Sequence, residues 1–350
     1  MIKFRVATNE DNLKLIQLTA VSAMSGEIGL RIDRGPDFFS LLKMRGETKV
    51  FVAEENGIII GSICVSLQKV YVGGEIFPLQ YIGDFKVSEQ YRNQGIGLKL
   101  CNQMADYVIS QNSDLALLNV SMGNTKPMCF FKNRPNVPDF DNIGIFNIYQ
   151  IIGKRVTPRF HKYAIEETIL NDDVLQFFNV HYSKYQLATV LTREKFDNTS
   201  VFIIRENEEI IAAMSLIDTM PVKQNVITAL SFKMKCVLKI INALSRIAGF
   251  SKMPVLNDPV KMLYIKYLAV DSNSTMLVKL LVNHARNIAF EKTYSYVSIG
   301  MHEKDKLNNC LSGLLKLTFK SVGMLLSIKN NRSLIKKVKD GVPYEDYSLV

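Results

Sequence analysis

The chain has 350 residues, 47% of them hydrophobic, with 43 Lys+Arg against 33 Asp+Glu and a formal charge of +10. At roughly 100 to 200 residues per domain this suggests two domains, and the apolar fraction excludes disorder, collagen-like repeats and coiled coil. Five scattered cysteines without a C-x-x-C pair and four scattered histidines leave a disulfide framework and a zinc site without support, so no metal is expected.

The charge is unevenly placed. Met1 to Gly153 holds 15 basic and 15 acidic residues, and the remainder holds 28 and 18, so the whole excess lies in the second half. Nucleic acid would rest on that charge alone, without a recognised motif, and is not expected. The start, MIKFRVATNEDN, lacks a signal-peptide core, and no uncharged run approaches the ~20 residues of a membrane span. A cytoplasmic setting is the expectation.

Apolar spacing predicts helices over Asn12 to Met24 and about Phe38 to Met44, joined by a Gly-bearing loop. Lys49 to Gln68 reads as a hairpin about Asn56-Gly57, and Gly73-Gly74 marks another turn. A strand at Leu79 to Val87, a helix at Gly95 to Ser110 and strands at Ala116 to Met122 and Ile145 to Ile152 complete the first half.

Part of this order recurs. FVAEENGIIIGSICV (Phe51 to Val65) aligns without gaps on FIIRENEEIIAAMSL (Phe202 to Leu216), and YIGDFKV (Tyr81 to Val87) on YIKYLAV (Tyr264 to Val270). A helix from Met276 to Phe290 and a strand from Tyr294 to Met301 follow. Two matches in one order indicate duplication. The larger offset of the second match implies an insertion, at about 221–262, whose stretch from Pro221 to Lys266 has eight basic residues and one acidic residue, Asp258.

The chemistry-bearing stretch follows YIGDFKV. Arg92-Asn93-Gln94-Gly95-Ile96-Gly97 opens a helix with apolar Ile96, Leu100, Met104 and Val108. A strand, a glycine turn and a helix start form a phosphate cradle, because free N–H groups and the helix dipole favour negative charge. The spacing fits neither the dinucleotide nor the nucleoside-triphosphate loop.

The segment resembles the [QR]-x-x-G-x-[GA] signature of the GNAT superfamily of N-acetyltransferases, which Arg92, Gly95 and Gly97 satisfy. The resemblance covers residues 1 to 153 and implies an α+β fold, a mixed and mostly antiparallel sheet flanked by helices, with acetyl-CoA as acyl donor. It implies that Phe85, Lys86 and Val87 pair with the pantetheine arm and that Arg92, Asn93, Gln94, Gly95, Ile96, Gly97 and Leu98 surround the pyrophosphate. It also aligns Asn124 with a cofactor-side position. The family's Tyr acid falls on Phe131 and its Gly-Phe on Pro135-Asn136, which leaves the usual acid without a counterpart. Asp84, the one carboxylate of the strand, and Tyr81, where relatives place a Glu base, are the catalytic candidates. Glu27 in the first loop is weighed against an exposed carboxylate, and Phe38 and Phe39 against core aromatics. Neither Cys101 nor Cys129 supports a covalent route.

The second copy has DSNSTMLVKLL after its strand, without a glycine, and is expected to bind no coenzyme A. The expectation is two tandem GNAT-like domains, a catalytic one at 1–153 and a degenerate one at 154–350, moving an acetyl group to a primary amine of a small molecule or peptide. The alternative is a non-catalytic scaffold that senses acyl-CoA or anchors a partner or membrane. By analogy with tandem enzymes of the superfamily, a C-terminal carboxylate at Val350 entering the site is a further hypothesis. The basic amphipathic stretch at 231–250 is expected to dock on its own domain or on a second subunit in a homo-oligomer, ahead of peripheral membrane contact.

Overall fold

The computed structural model describes residues 1–21, 28–123, 138–156, 162–271 and 274–350. In chain order the first half forms β1 (Lys3–Val6), α1 (Asn12–Ala20), β2 (Ile28–Asp33), α2 (Phe38–Arg45), β3 (Glu47–Glu55), β4 (Ile58–Val72), β5 (Glu75–Val87), α3 (Ile96–Ser110), β6 (Leu115–Ser121) and β7 (Asp141–Ile152). The second forms β8 (Glu166–Thr168), α4 (Asp172–Tyr182), β9 (Thr199–Glu206), β10 (Glu209–Asp218), β11 (Gln224–Leu230), α5 (Phe232–Ala248), β12 (Met262–Val270), α6 (Thr275–Glu291), β13 (Tyr296–His302), β14 (Lys316–Ser327) and α7 (Arg332–Asp340).

Twelve strands make one continuous mixed sheet in the order β1-β3-β4-β5-β6-β14-β7-β13-β12-β10-β9-β8. The Asn56-Gly57 and Gly73-Gly74 turns fall where expected, between β3, β4 and β5. The segments alike in sequence are the β3–β4 and β9–β10 hairpins, followed by a strand, a helix and a parallel strand, directly in the first half and after β11 and α5 in the second. The helices after those strands bury matching stripes: Ile96, Leu100, Met104 and Val108 on α3, and Leu277, Val278, Leu281, Val282, Ala285 and Ala289 on α6. Each stripe seals one face of its half of the sheet.

Two strands of the main sheet are exchanged between the halves. Strand β14 runs antiparallel between β6 and β7, while β7 runs antiparallel between β14 and β13. Each half's sheet is thereby completed by a strand from the other. The loop read after α1 contains β2, which pairs with β11 in a separate two-stranded ribbon. Local patterning cannot show such pairings, because partners nearly 200 residues apart leave no periodic signal in either segment.

Candidate active site

Strands β5 and β6 run parallel only from Leu79 opposite Leu115 to Ile82 opposite Leu118. Beyond that point they splay, and the pairing of β5 with β6 ends. The splay coincides with a bulge, where Cys64 faces Gly83 but Ser62 faces Lys86. Asp84 sits in the bulge at φ +49°. The extra residue shifts the strand's parity: Phe85 and Val87 pack with Ile82 against α3, whereas Tyr81 packs with Leu79 on the opposite face. Unbroken alternation would have put Tyr81 with Phe85 and Val87.

The bulge turns Asp84 toward two buried arginines. Arg34 Nη1 lies 3.3 Å from both carboxylate oxygens and Arg45 Nη1 lies 3.2 Å from Oδ2. Burial alone would raise the Asp84 carboxyl, but Arg34, Arg45 and Lys86 outweigh it and hold it well below the usual carboxylate range. Such a carboxylate is a weak proton acceptor and a strong electrostatic anchor. Arg34 also donates to the Phe38 carbonyl at 2.9 Å and stacks over the Phe38 ring, which is a core group at 1% exposure. Arg45 lies over the Tyr81 ring and donates through Nε to the Leu349 carbonyl at 2.6 Å. A Cβ on Gly83 would stand 3.1 Å from Arg45 Nη1, so the missing side chain leaves room for the guanidinium.

At the far end of β5, the chain turns through Arg92 to Gly95 into α3. Gly95 takes φ +77° as the N-cap residue and offers no side chain to cap the first turn. The backbone N–H groups of that turn therefore point outward together, the arrangement a pyrophosphate needs. A Cβ on Gly95 would meet no atom within 4 Å, so the mouth of the cradle is open on that side. The cradle and the splayed edge at Phe85, Lys86 and Val87 are consecutive along the chain, so a ligand with a polar head and an extended arm has one continuous track. Asn124, Glu27 and Phe131 fall outside the described residues.

Tyr344–Val350, of which sequence reasoning singled out only Val350, brings further groups to the site. Two adjoining cavities share Tyr344 and Glu345; one is also lined by Arg45, Tyr81, Lys195, Tyr267 and Asp346, and the other by Tyr182, Tyr185, Tyr264, Asp305 and Tyr347. Glu345 lies beside Asn119, the β6 residue just past the splay point, as does Tyr81. Burial, and then the neighbouring Asp346 carboxylate, push the Glu345 carboxyl up to about 8, with Arg45 and Asn119 pulling the other way. Asp346 accepts from the Ser348 N–H at 3.0 Å and hydroxyl at 2.6 Å through Oδ1, and its Oδ2 is buried without a partner. Burial also keeps the Tyr81 phenol protonated well above its ordinary range. Lys223, at the start of the segment leading into β11, donates to the Val350 carbonyl oxygen at 2.5 Å, and burial with nearby Arg45 and Arg34 pulls it down to about 7.

The second half has a similar splay and fills it. Strands β12 and β13 pair from Met262 opposite Tyr296 to Tyr264 opposite Ser298, then part, and β12 is bulged at Lys266 against β10. There the Tyr182 hydroxyl accepts from the Leu268 N–H at 2.9 Å and the Tyr344 hydroxyl donates to the Lys266 carbonyl at 2.7 Å. The first turn of α6 is capped by Ser274, whose hydroxyl accepts from the Leu277 N–H. Both elements that would receive a cofactor are occupied by the chain's own groups.

Residues 26–133 match the model of the acetyltransferase (GNAT) family. Among curated proteins, no sequence matches the chain. Solved structures similar to it include a GCN5-related N-acetyltransferase from Anabaena variabilis, at 12% identity and TM-score 0.54 over 93% of this chain and 72% of that one. Another is Saccharomyces cerevisiae N-myristoyltransferase with bound myristoyl-CoA, at 12% identity and TM-score 0.63 over 93% and 79%. A third is a probable N-acyltransferase from Enterococcus faecalis, at 10% identity and TM-score 0.53 over 94% and 73%. Residues 26–133 are thus similar to the acetyltransferase (GNAT) family, and the fold shared with these solved structures spans both halves.

Proposed function

We propose that this GNAT-fold acyltransferase moves an acetyl group from acetyl-CoA to a primary amine by direct attack, at the splay between β5 and β6. The observation that carries the reading is the continuous track from the splayed edge at Phe85–Val87 to the open cradle at Arg92–Leu98, beside a cavity lined by Glu345 and Asp346. The donor supplies an activated thioester, and one similar structure holds an acyl-CoA. In this account residues 1–153 and 154–350 are two copies of one unit, of which the first receives the donor.

An amine arrives protonated and must lose a proton before it attacks. Glu345 is the group suited to take it, because a carboxyl near 8 has the basicity that a carboxylate in water lacks. Asp346, with an oxygen unpaired at the same cavity, attracts the ammonium. Asp84 is assigned a positioning role: it neutralises Arg34 and Arg45 and so fixes the bulge at the splay. Tyr81 stays protonated and orients rather than accepts.

The test is thiol release from acetyl-CoA across polyamines, amino sugars, amino acids and peptides. Release with at least one amine, rising with pH through about 8, supports the proposal. Glu345→Gln is expected to lower that rate by about 10²- to 10⁴-fold and to flatten the pH profile while coenzyme A affinity holds. Tight coenzyme A binding with no release on any amine would instead establish an acyl-CoA sensor. Glu345 also gives a readout independent of turnover. Its folded value lies above the ordinary 4.5, so the folded state binds the extra proton between 4.5 and about 8, and stability declines as pH rises through that window. Thermal denaturation at both ends of the window should show the decline in the native chain and a smaller one in Glu345→Gln.

A further inference from the structure

Helix α5 turns two apolar stripes in different directions. Leu238 is buried, and Met234 and Ile241 pack beside it against the core under β11 and β12. Along another stripe, Val237, Ile240, Leu244 and Ile247 follow at spacings of three and four, and they are 37%, 60%, 51% and 89% exposed. Phe232 in the first turn is 83% exposed, and Val255 and Leu256 are exposed in the following loop. That loop is tied to the helix by Asn242, which donates to the Met253 carbonyl and accepts from its N–H. Docking on its own domain therefore accounts for one stripe and leaves the other bare.

The bare stripe has a basic surround. The helix carries Lys233, Lys235, Lys239 and Arg246 and no acidic residue, and Lys252 and Lys261 follow it. Lys233, Lys235 and Lys239 are exposed and form no ion pair among the described residues. Pairing with a second copy across a two-fold axis would set this basic face against itself, which like-charge repulsion opposes. No helix of the described residues is long and apolar enough to cross a membrane. A helix of high amphipathicity, with large apolar groups on one side and unpaired lysines beside them, suits the plane of an anionic bilayer surface.

We propose that α5 docks the protein on an anionic membrane, with Phe232, Val237, Ile240, Leu244 and Ile247 entering the headgroup boundary and the lysines meeting lipid phosphates and carboxylates. The helix is joined to the site by one strand: β11 separates it from Lys223, a span of about 23 Å at ~3.3 Å per residue. Docking would hold the cavity near the lipid surface, where a membrane-presented substrate is concentrated.

The experiment is vesicle flotation of the full chain with phosphatidylcholine alone and with phosphatidylcholine containing phosphatidylserine, at low and raised salt. Flotation confined to the anionic vesicles and weakened by salt is expected. Ile240→Asp with Leu244→Asp should abolish it with an unchanged melting temperature, since both side chains are exposed. Replacing Lys235 or Lys239 by Gln should each lower partitioning by about fivefold. Absence of flotation on anionic vesicles overturns the proposal. So does a dimer in sedimentation that Ile240→Asp dissociates, because a second copy would then cover the face. Neither readout uses turnover, so failure of the acetyl-transfer reading leaves this test standing.

Discussion

The two splays, one in each half, are finished differently by the residues around them. In the first, Tyr81, Gly83 and Asp84 align with Tyr264, Lys266 and Tyr267 of the second. Both strands keep a bulge. The first half fills its bulge with a carboxylate between two arginines, its β5–β6 pairing ends at Ile82, and among the described residues no side chain caps the helix N-terminus. The second places buried Tyr267 in an aromatic cluster with Phe178, Phe196 and Tyr182, and covers its edge with the Tyr182 and Tyr344 hydroxyls. Keeping the fold requires only the sheet and the packed helix. Binding a polyanion additionally requires uncapped amides, and in the second half Ser274 caps the corresponding turn.

Substitutions can break this contrast. The largest expected effect is Asp84→Asn, which leaves Arg34 and Arg45 buried without a counter-charge and should cost about 3–5 kcal/mol in denaturant unfolding. If stability held, the ion cluster would not be what fixes the first bulge. Next, Gly95→Val forces a β-branched residue to φ +77° at the cradle mouth and should weaken coenzyme A binding on the order of a hundredfold, read by calorimetry.

Smaller changes probe the closed copy. Tyr344→Phe removes the donor to the Lys266 carbonyl and should cost roughly 1–2 kcal/mol in unfolding, without changing the number of coenzyme A sites. Ser274→Ala should cost about 1 kcal/mol, the usual value of an N-cap, and leave coenzyme A affinity unaltered. Appearance of a second site in either variant would show that capping alone silences that copy.

Local patterning carried much of the fold. The alternation and Asn-Gly pair of β3–β4, the apolar stripe of α3 and the glycines of its N-terminus were all legible, because each is specified within a few residues. Asp84 was visible as a lone carboxylate, but its partners were not: Arg34 and Arg45 lie 50 and 39 residues away, and the bulge that aims the carboxylate at them has no marker in YIGDFKV. Glu345 was illegible for the same reason. Its basicity comes from burial and then from Asp346, opposed by Arg45 and Asn119, and these last two belong to distant segments. The exchange of β7 and β14 is likewise a tertiary property. The opening charge excess did locate one feature, the bare basic helix α5.

The most direct test of the account is the number and place of coenzyme A sites per chain. Calorimetric titration should find one site, lost in Gly95→Val and kept in Tyr344→Phe and Ser274→Ala. Two sites, or a single site that survives Gly95→Val, would contradict the assignment of one open and one closed copy.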